Sequence, residues 1–187
     1  MKKIAFTALA AVAAIVATPA FAQASGTVDV TGTVASKCAT VGTISGTISL
    51  GELAKANGTV ESAFPNATGG LSRQFTVRCT GANPVLSVNA SALLNSAVTS
   101  PASGYTNTVH YTATLSAAAA GTTGATASAA DTSNVSGATT AAINGRLSAA
   151  ANNLTLVISN GNTTDAAAVL EAGTYAGSVA VQVTPAA

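Results

Sequence analysis

Beyond its first two dozen residues the chain alternates apolar and polar positions with a period of two, the signature of half-buried strands. "SRQFTVRC" places Phe75, Val77 and Cys79 inward, Arg73 inward or at the strand mouth, and Gln74, Thr76 and Arg78 outward. "VLSVNA" presents Leu86 and Val88, and "NTVHYTATLS" sets Val109, Tyr111, Ala113 and Leu115 against His110, Thr112 and Thr114. "NNLTLVIS" gives Leu154, Leu156 and Ile158, with "NGN" at 160–162 as a closing turn. "TISGTISLGEL" puts Ile44, Ile48 and Leu50 on one side. The last strand, "GTYAGSVAVQV", carries Tyr175, Val179, Val181 and Val183. A further alternation lies near the front, "GTVDVTGTVASKC", where Val28, Val30 and Val34 share one parity with Gly32 between them. Few convincing helices are expected in this part of the chain.

Residues 116–151, "SAAAAGTTGATASAADTSNVSGATTAAINGRLSAAA", break the pattern. Gly, Thr and Ser interrupt any helix that the alanines would favour. The expectation is a long surface excursion with at most a short strand near "AAINGRL".

Set "VDVTGTV" aside and six strands remain. Short, regularly spaced strands with turn signals predict an all-β chain, an immunoglobulin-like antiparallel β-sandwich whose basic form uses seven. Six strands make the sandwich incomplete, with an unpaired edge and a groove in its core. The seventh is either this chain's own front strand or another molecule's copy of it, and periodicity does not separate the two.

The first 22 residues read as an export signal. Lys2 and Lys3 precede the apolar run "IAFTALAAVAAIVA", too short to span a bilayer comfortably, and "AFA" ends a cleavage site after Ala22. The expected route is bacterial export, through the inner membrane to the periplasm and then to the cell surface or medium. The mature part, 23–187, is expected to be one domain, with a front strand at about 26–35.

Cleavage leaves Lys37, Lys55, Arg73, Arg78 and Arg146 against Asp29, Glu52, Glu61, Asp131, Asp165 and Glu171, a near-neutral balance. No basic stripe exists for nucleic acid. Charged residues make up only 7% of the chain and aromatic ones 4%, so the solvent faces are built from Thr, Ser and Asn, which protect little against edge-to-edge association. Cys38 and Cys79, an even count in an exported chain, read as one structural disulfide.

Little suggests catalysis. His110 is the lone histidine and has the parity of an exposed strand residue, the acidic residues are scattered, and no phosphate-cradling glycine motif leads a strand into a helix. The expectation is no enzyme, no catalytic residue, no metal, no cofactor and no small-molecule substrate.

The order of four stretches carries a resemblance. Gly26–Cys38, "SLGEL" at Ser49–Leu53, "FTVRCTGANP" at Phe75–Pro84 and the terminal "AGTYAGSVAVQV" together resemble pilin subunits of bacterial chaperone–usher systems, the archaic branch and the related spore coat protein U domain. The resemblance implies donor-strand complementation. The subunit lacks its final immunoglobulin strand, a periplasmic chaperone lends one, and at the outer-membrane usher the N-terminal extension of the next subunit replaces it. It assigns the donor role to Val28, Val30, Gly32 and Val34, and lines the acceptor groove with residues 75–79 and 175–183. The partners implied are copies of the chain or related subunits, and the fibre so built supports adhesion or biofilm formation. The chain departs from the pattern in finishing "VTPAA", where Pro185 cannot donate to a ladder. The alternatives are a secreted or spore-coat-like protein completed by its own first strand, and a soluble periplasmic binding module using the 116–151 loop.

Overall fold

The computed structural model describes residues 26–186, so the expected signal peptide lies outside the described residues. The chain divides into two units, Met1–Thr33 and Val34–Ala187. Of the first, residues 26–33 form neither helix nor strand, and Val28 and Val30 are 88% and 92% exposed. The front alternation, expected to form a strand, is therefore not paired into a ladder here.

The second unit is all-β, with no helix among the described residues. Its strands are β1 (Cys38–Val41), β2 (Ser72–Cys79), β3 (Val85–Ala90), β4 (Leu93–Leu94), β5 (Tyr105–Thr106), β6 (Thr108–Ala117), β7 (Ala127–Thr132), β8 (Thr139–Ala142), β9 (Leu154–Asn162), β10 (Val169–Leu170) and β11 (Val179–Thr184). The larger sheet runs β1-β2-β9-β6-β4, with β7 also paired to β6; the smaller runs β11-β3-β8. All pairings within these two sheets are antiparallel. A small parallel pair, β5 with β10, stands apart.

The sheets pack face to face through β3 against β6 and β7, a sandwich-like arrangement. The core is the set of positions the alternation selects: Leu86 and Val88 on β3, Val109, Ala113 and Leu115 on β6, and Leu154 on β9 are fully buried. Cys38 and Cys79 form a disulfide, with sulfurs 2.08 Å apart, directly opposite each other in the β1–β2 register.

Three expectations need correcting. Residues 116–151 are not a surface excursion: β8 matches the short strand expected near "AAINGRL" and pairs with β3, but β7 lies within them as well, paired to β6. Ala127, Ala129, Ile143 and Leu147 from this run join the core. "NGN" at 160–162 is not a turn: β9 runs through it, with one extra residue between the Thr112–Ser159 and His110–Asn162 pairs, which is a β-bulge. Finally, "TISGTISLGEL" is not a continuous strand and makes only an isolated bridge, Ser49 to Thr68. Gly42 and Gly51, at φ 84° and 69°, turn the backbone out of a ladder at its two ends.

Candidate functional site

The smaller sheet covers the larger one unevenly. β3 and β8 close over the β6–β7 side, whereas over β2 and β9 the cover stops at β11, which among the described residues has one neighbour, β3. Two hydrogen bonds settle which way its backbone faces. Ser91 N donates to Ser178 O and Ile143 N donates to Pro84 O, each at 2.9 Å or less. Alternation along an antiparallel ladder then turns Ala180, Gln182 and Thr184 towards β3. The N–H and C=O groups of Val179, Val181 and Val183 point to the open side. The side chains of the same three valines face the core yet stay half-buried.

Beside that edge lies an open cleft of about 310 Å³. Its floor is Phe75 of β2, Leu156 and Ile158 of β9, and Tyr111 of β6; Val179 and Val181 form one wall. Ile44, Ile48 and Leu50 form the opposite wall, all three half-buried. Among the described residues of this lining, Arg73 alone is charged. The cleft adjoins a second recess of about 710 Å³ that shares Thr47, Ile48, Leu50, Leu93 and Gly177 with it.

Of the residues expected to line a groove, Phe75, Val179 and Val181 do so, while Val77 is buried (1% exposed) and Cys79 stands away from the lining. The 44–50 wall was not part of that expectation. Its parity was readable, but nothing in it says which side of the sandwich it closes.

Polar groups around the cleft are tied down. Tyr111 donates its hydroxyl proton to Ser178 O at 3.1 Å; burial, and then the Asp131 charge, push its pKa up to about 12. Asp131, itself 2% exposed, accepts from Ala90 N at 2.7 Å and Thr139 Oγ1 at 2.9 Å, holding β3 where β8 has run out. Tyr175 donates to Glu171 O and Thr106 O, and burial, then Glu171, raise its pKa. No group of three or more metal-ligating side chains occurs among the described residues. His110 sits half-buried on β6, its Nε2 3.5 Å from Thr164 Oγ1.

The donor candidates are open to solvent. Val34 is 81% exposed, like Val28 and Val30, and a Cβ built on Gly32 would meet nothing within 4 Å. The chain just after them is fixed. Thr80 N donates to Lys37 O at 2.9 Å, Lys37 N donates to Thr80 Oγ1 at 3.0 Å, and Thr80 Oγ1 donates to Ala35 O at 2.7 Å. Residues 35–37 thus prolong the β1–β2 ladder past the disulfide. The nearest cleft residue on β2, Phe75, lies four positions back from Cys79, or about 13 Å along the strand. Comparison with protein-family models, curated proteins and solved structures gave no match.

Proposed function

We propose that this chain is a structural subunit of an exported surface fibre or coat, assembled by donor-strand exchange. The observation that carries the reading is the open cleft beside a free strand edge, in a chain that also presents an exposed, unpaired strand sequence of its own. A strand added to β11 would find the backbone groups of Val179, Val181 and Val183 facing it. Its alternate side chains would drop onto Phe75, Leu156 and Ile158. Residues 26–34 supply such a strand, with Val28, Val30 and Val34 for pockets and Gly32 for a shallow point. Burying three valines contributes about 1.5–3 kcal/mol each before ordering costs.

The anchoring at 35–37 favours exchange over self-completion. Val34 adjoins a stretch held beside Thr80, about 13 Å along β2 from Phe75, so much of Val28–Val34 would be spent in reaching its own cleft. A strand given at one end and received at another makes a heterologous contact, which propagates as a filament. The completed sandwich would then be of immunoglobulin type, as the resemblance to chaperone–usher pilins and spore coat protein U domains implies. Such a subunit would travel through the periplasm with a chaperone covering the cleft, pass the usher and support adhesion or biofilm at the surface. The binding-module alternative loses its loop, since 116–151 holds β7 and β8.

Electrophoresis of material sheared from cells, unheated against boiled and without reductant, tests the reading. Wild-type chain should give a ladder of multimers that collapses to one band on boiling. Val30→Arg should give a folded monomer, with native circular dichroism, and no ladder. A lone monomer band from wild-type chain in both lanes would remove the fibre in favour of a self-contained secreted or coat protein.

A further inference from the structure

The charges of the second unit collect at its two ends. At the Cys79 end of β2, Thr80 N donates to Lys37 O at 2.9 Å and Lys37 N to Thr80 Oγ1 at 3.0 Å. Arg146 donates to Thr80 O at 2.8 Å, and Arg78 stands two positions before Thr80 on β2. All three cations are exposed. The carboxylates gather at the opposite end, around the Asn162 end of β9. Gly161 N donates to Ser62 O, Glu61 N to Leu53 O and Leu170 N to Gly58 O, which ties residues 52–62 and 169–171 to that end. Glu52, Glu61 and Glu171 sit in these segments and Asp165 in the turn after β9, accompanied by one cation, Lys55. Of the other charges in this unit, Arg73 lies midway, opposite Leu156, and Asp131 is buried.

One pole thus carries three positive charges and the other a net three negative. The nine residues of β9 separate them, about 30 Å at the rise of a strand and several times the screening length of about 8 Å at physiological salt. Neither pole cancels the other within one copy. We infer that the basic pole of one copy abuts the acidic pole of the next, a second interface beside the docked strand. This rests on the donor-strand reading and adds to it the surfaces that meet around the strand.

The placing of strand and cleft brings these two poles together. The cleft runs into the second recess, whose lining includes Glu52 and Glu171, so it opens at the acidic pole. The donor stretch leaves from the basic pole, because Ala35 and Lys37 are held on Thr80. With no slack between Val34 and that anchor, the donating copy's basic pole must sit where the C-terminal end of its strand leaves the cleft. β11 runs from the acidic end, where Val179 faces Ala90, to the basic end, where Thr184 faces Val85. A donor running against β11 puts that exit at the acceptor's acidic pole. One running along β11 would set basic pole against basic pole. Charge therefore favours the first arrangement and opposes the second, acting on orientation and encounter more than on total affinity.

The test uses the full exported chain, sheared from cells and treated with a water-soluble carbodiimide. The reagent activates a carboxylate, an amine in contact displaces it as the urea, and the amide formed survives boiling. Treated wild-type fibres should keep multimers after boiling, and mass spectrometry of those bands should join Lys37 to Glu52, Glu61, Asp165 or Glu171. Lys37→Arg keeps the charge and should remove that cross-link. A second measurement follows the growth of the ladder with time. Arg78→Glu/Arg146→Glu should slow it about ten-fold or more, the lower end of electrostatic steering, and adding Glu52→Lys/Asp165→Lys should restore it. An intact ladder without the Lys37 cross-link, or unchanged growth in the folded Arg78→Glu/Arg146→Glu variant, would overturn the pole contact and leave the fibre reading standing. Absence of any ladder from the wild-type chain would remove the reading on which the contact depends.

Discussion

At the scale of single residues, buried polar groups finish what the ladders leave undone. The β2–β9 pairing ends at Phe75 and Leu154. One step on, Asn153 takes over: its Oδ1 accepts from Val77 N at 2.9 Å and its Nδ2 donates to Val77 O at 2.7 Å, an amide standing in for a strand. Asp131 does the same for Ala90 N, and its charge bears on Tyr111. Since the folded pKa of Tyr111 is about 12 against 10.0 ordinarily, the folded chain keeps a proton that the unfolded chain releases between these values. That contribution is complete below pH 10 and is lost as pH rises towards 12. Tyr111→Phe should therefore show a shallower alkaline fall in urea midpoint than the wild type. Tyr175, also raised, leaves part of the fall in place. Identical alkaline slopes for the two chains would clear Tyr111 of the effect.

At the scale of elements, the bulge in β9 shows how a turn-like sequence serves a strand. Asn160 takes a left-handed φ of 57°, and Gly161 lets the backbone pass over Phe64: a Cβ there would lie 2.5 Å from Phe64 Cζ and 2.7 Å from Cε1. Phe64 is 1% exposed and has nowhere to go. Gly161→Ala should cost about 1–3 kcal/mol, read as a fall in urea midpoint with the ladder on unheated gels retained. No loss of stability would mean that Phe64 moves freely. Nothing local distinguishes this "NGN" from a hairpin signal, because the same left-handed residue serves a turn and a bulge. The strands that were legible, β3 and β6, put Leu, Val and Tyr on one parity and polar residues on the other. β7 was not, because alanine occupies both its faces: Ala127 and Ala129 are buried and Ala130 is exposed. The next buried member, Asp131, is charged, so hydropathy argues against the face that packing chooses. The cleft was half legible for a related reason. Val179, Val181 and Phe75 announce an apolar face, but the wall at 44–50 is held by turns and a bridge that leave no periodic trace beyond Ile44, Ile48 and Leu50.

At the scale of the whole molecule, one covalent bond stands between the cleft and the candidate donor strand. The Cys38–Cys79 disulfide, across a sequence separation of 41, binds β1 to β2, and the chain passes from β1 straight into the 44–50 wall. The candidate donor residues precede Cys38 and lie outside the closed loop. Replacing both cysteines by serine should cost about 4 kcal/mol on the chain-entropy estimate, and it should loosen the acceptor cleft while leaving residues 26–34 as they are. The doubly substituted chain should then donate but not accept. Alone it should give no ladder; mixed into wild-type chain it should shorten the ladder in proportion to its share, because each copy added ends the growth of a fibre. Val30→Arg, able to accept but not to donate, should shorten ladders as well, from the opposite end. Mixing the two variants with each other should yield dimers and nothing longer, since each then has one working end and the two ends are complementary. A full ladder from the serine variant alone would show that the wall at 44–50 holds without the disulfide. Dimers absent from the mixed pair, with both chains folded, would break the link between the cleft and the strand.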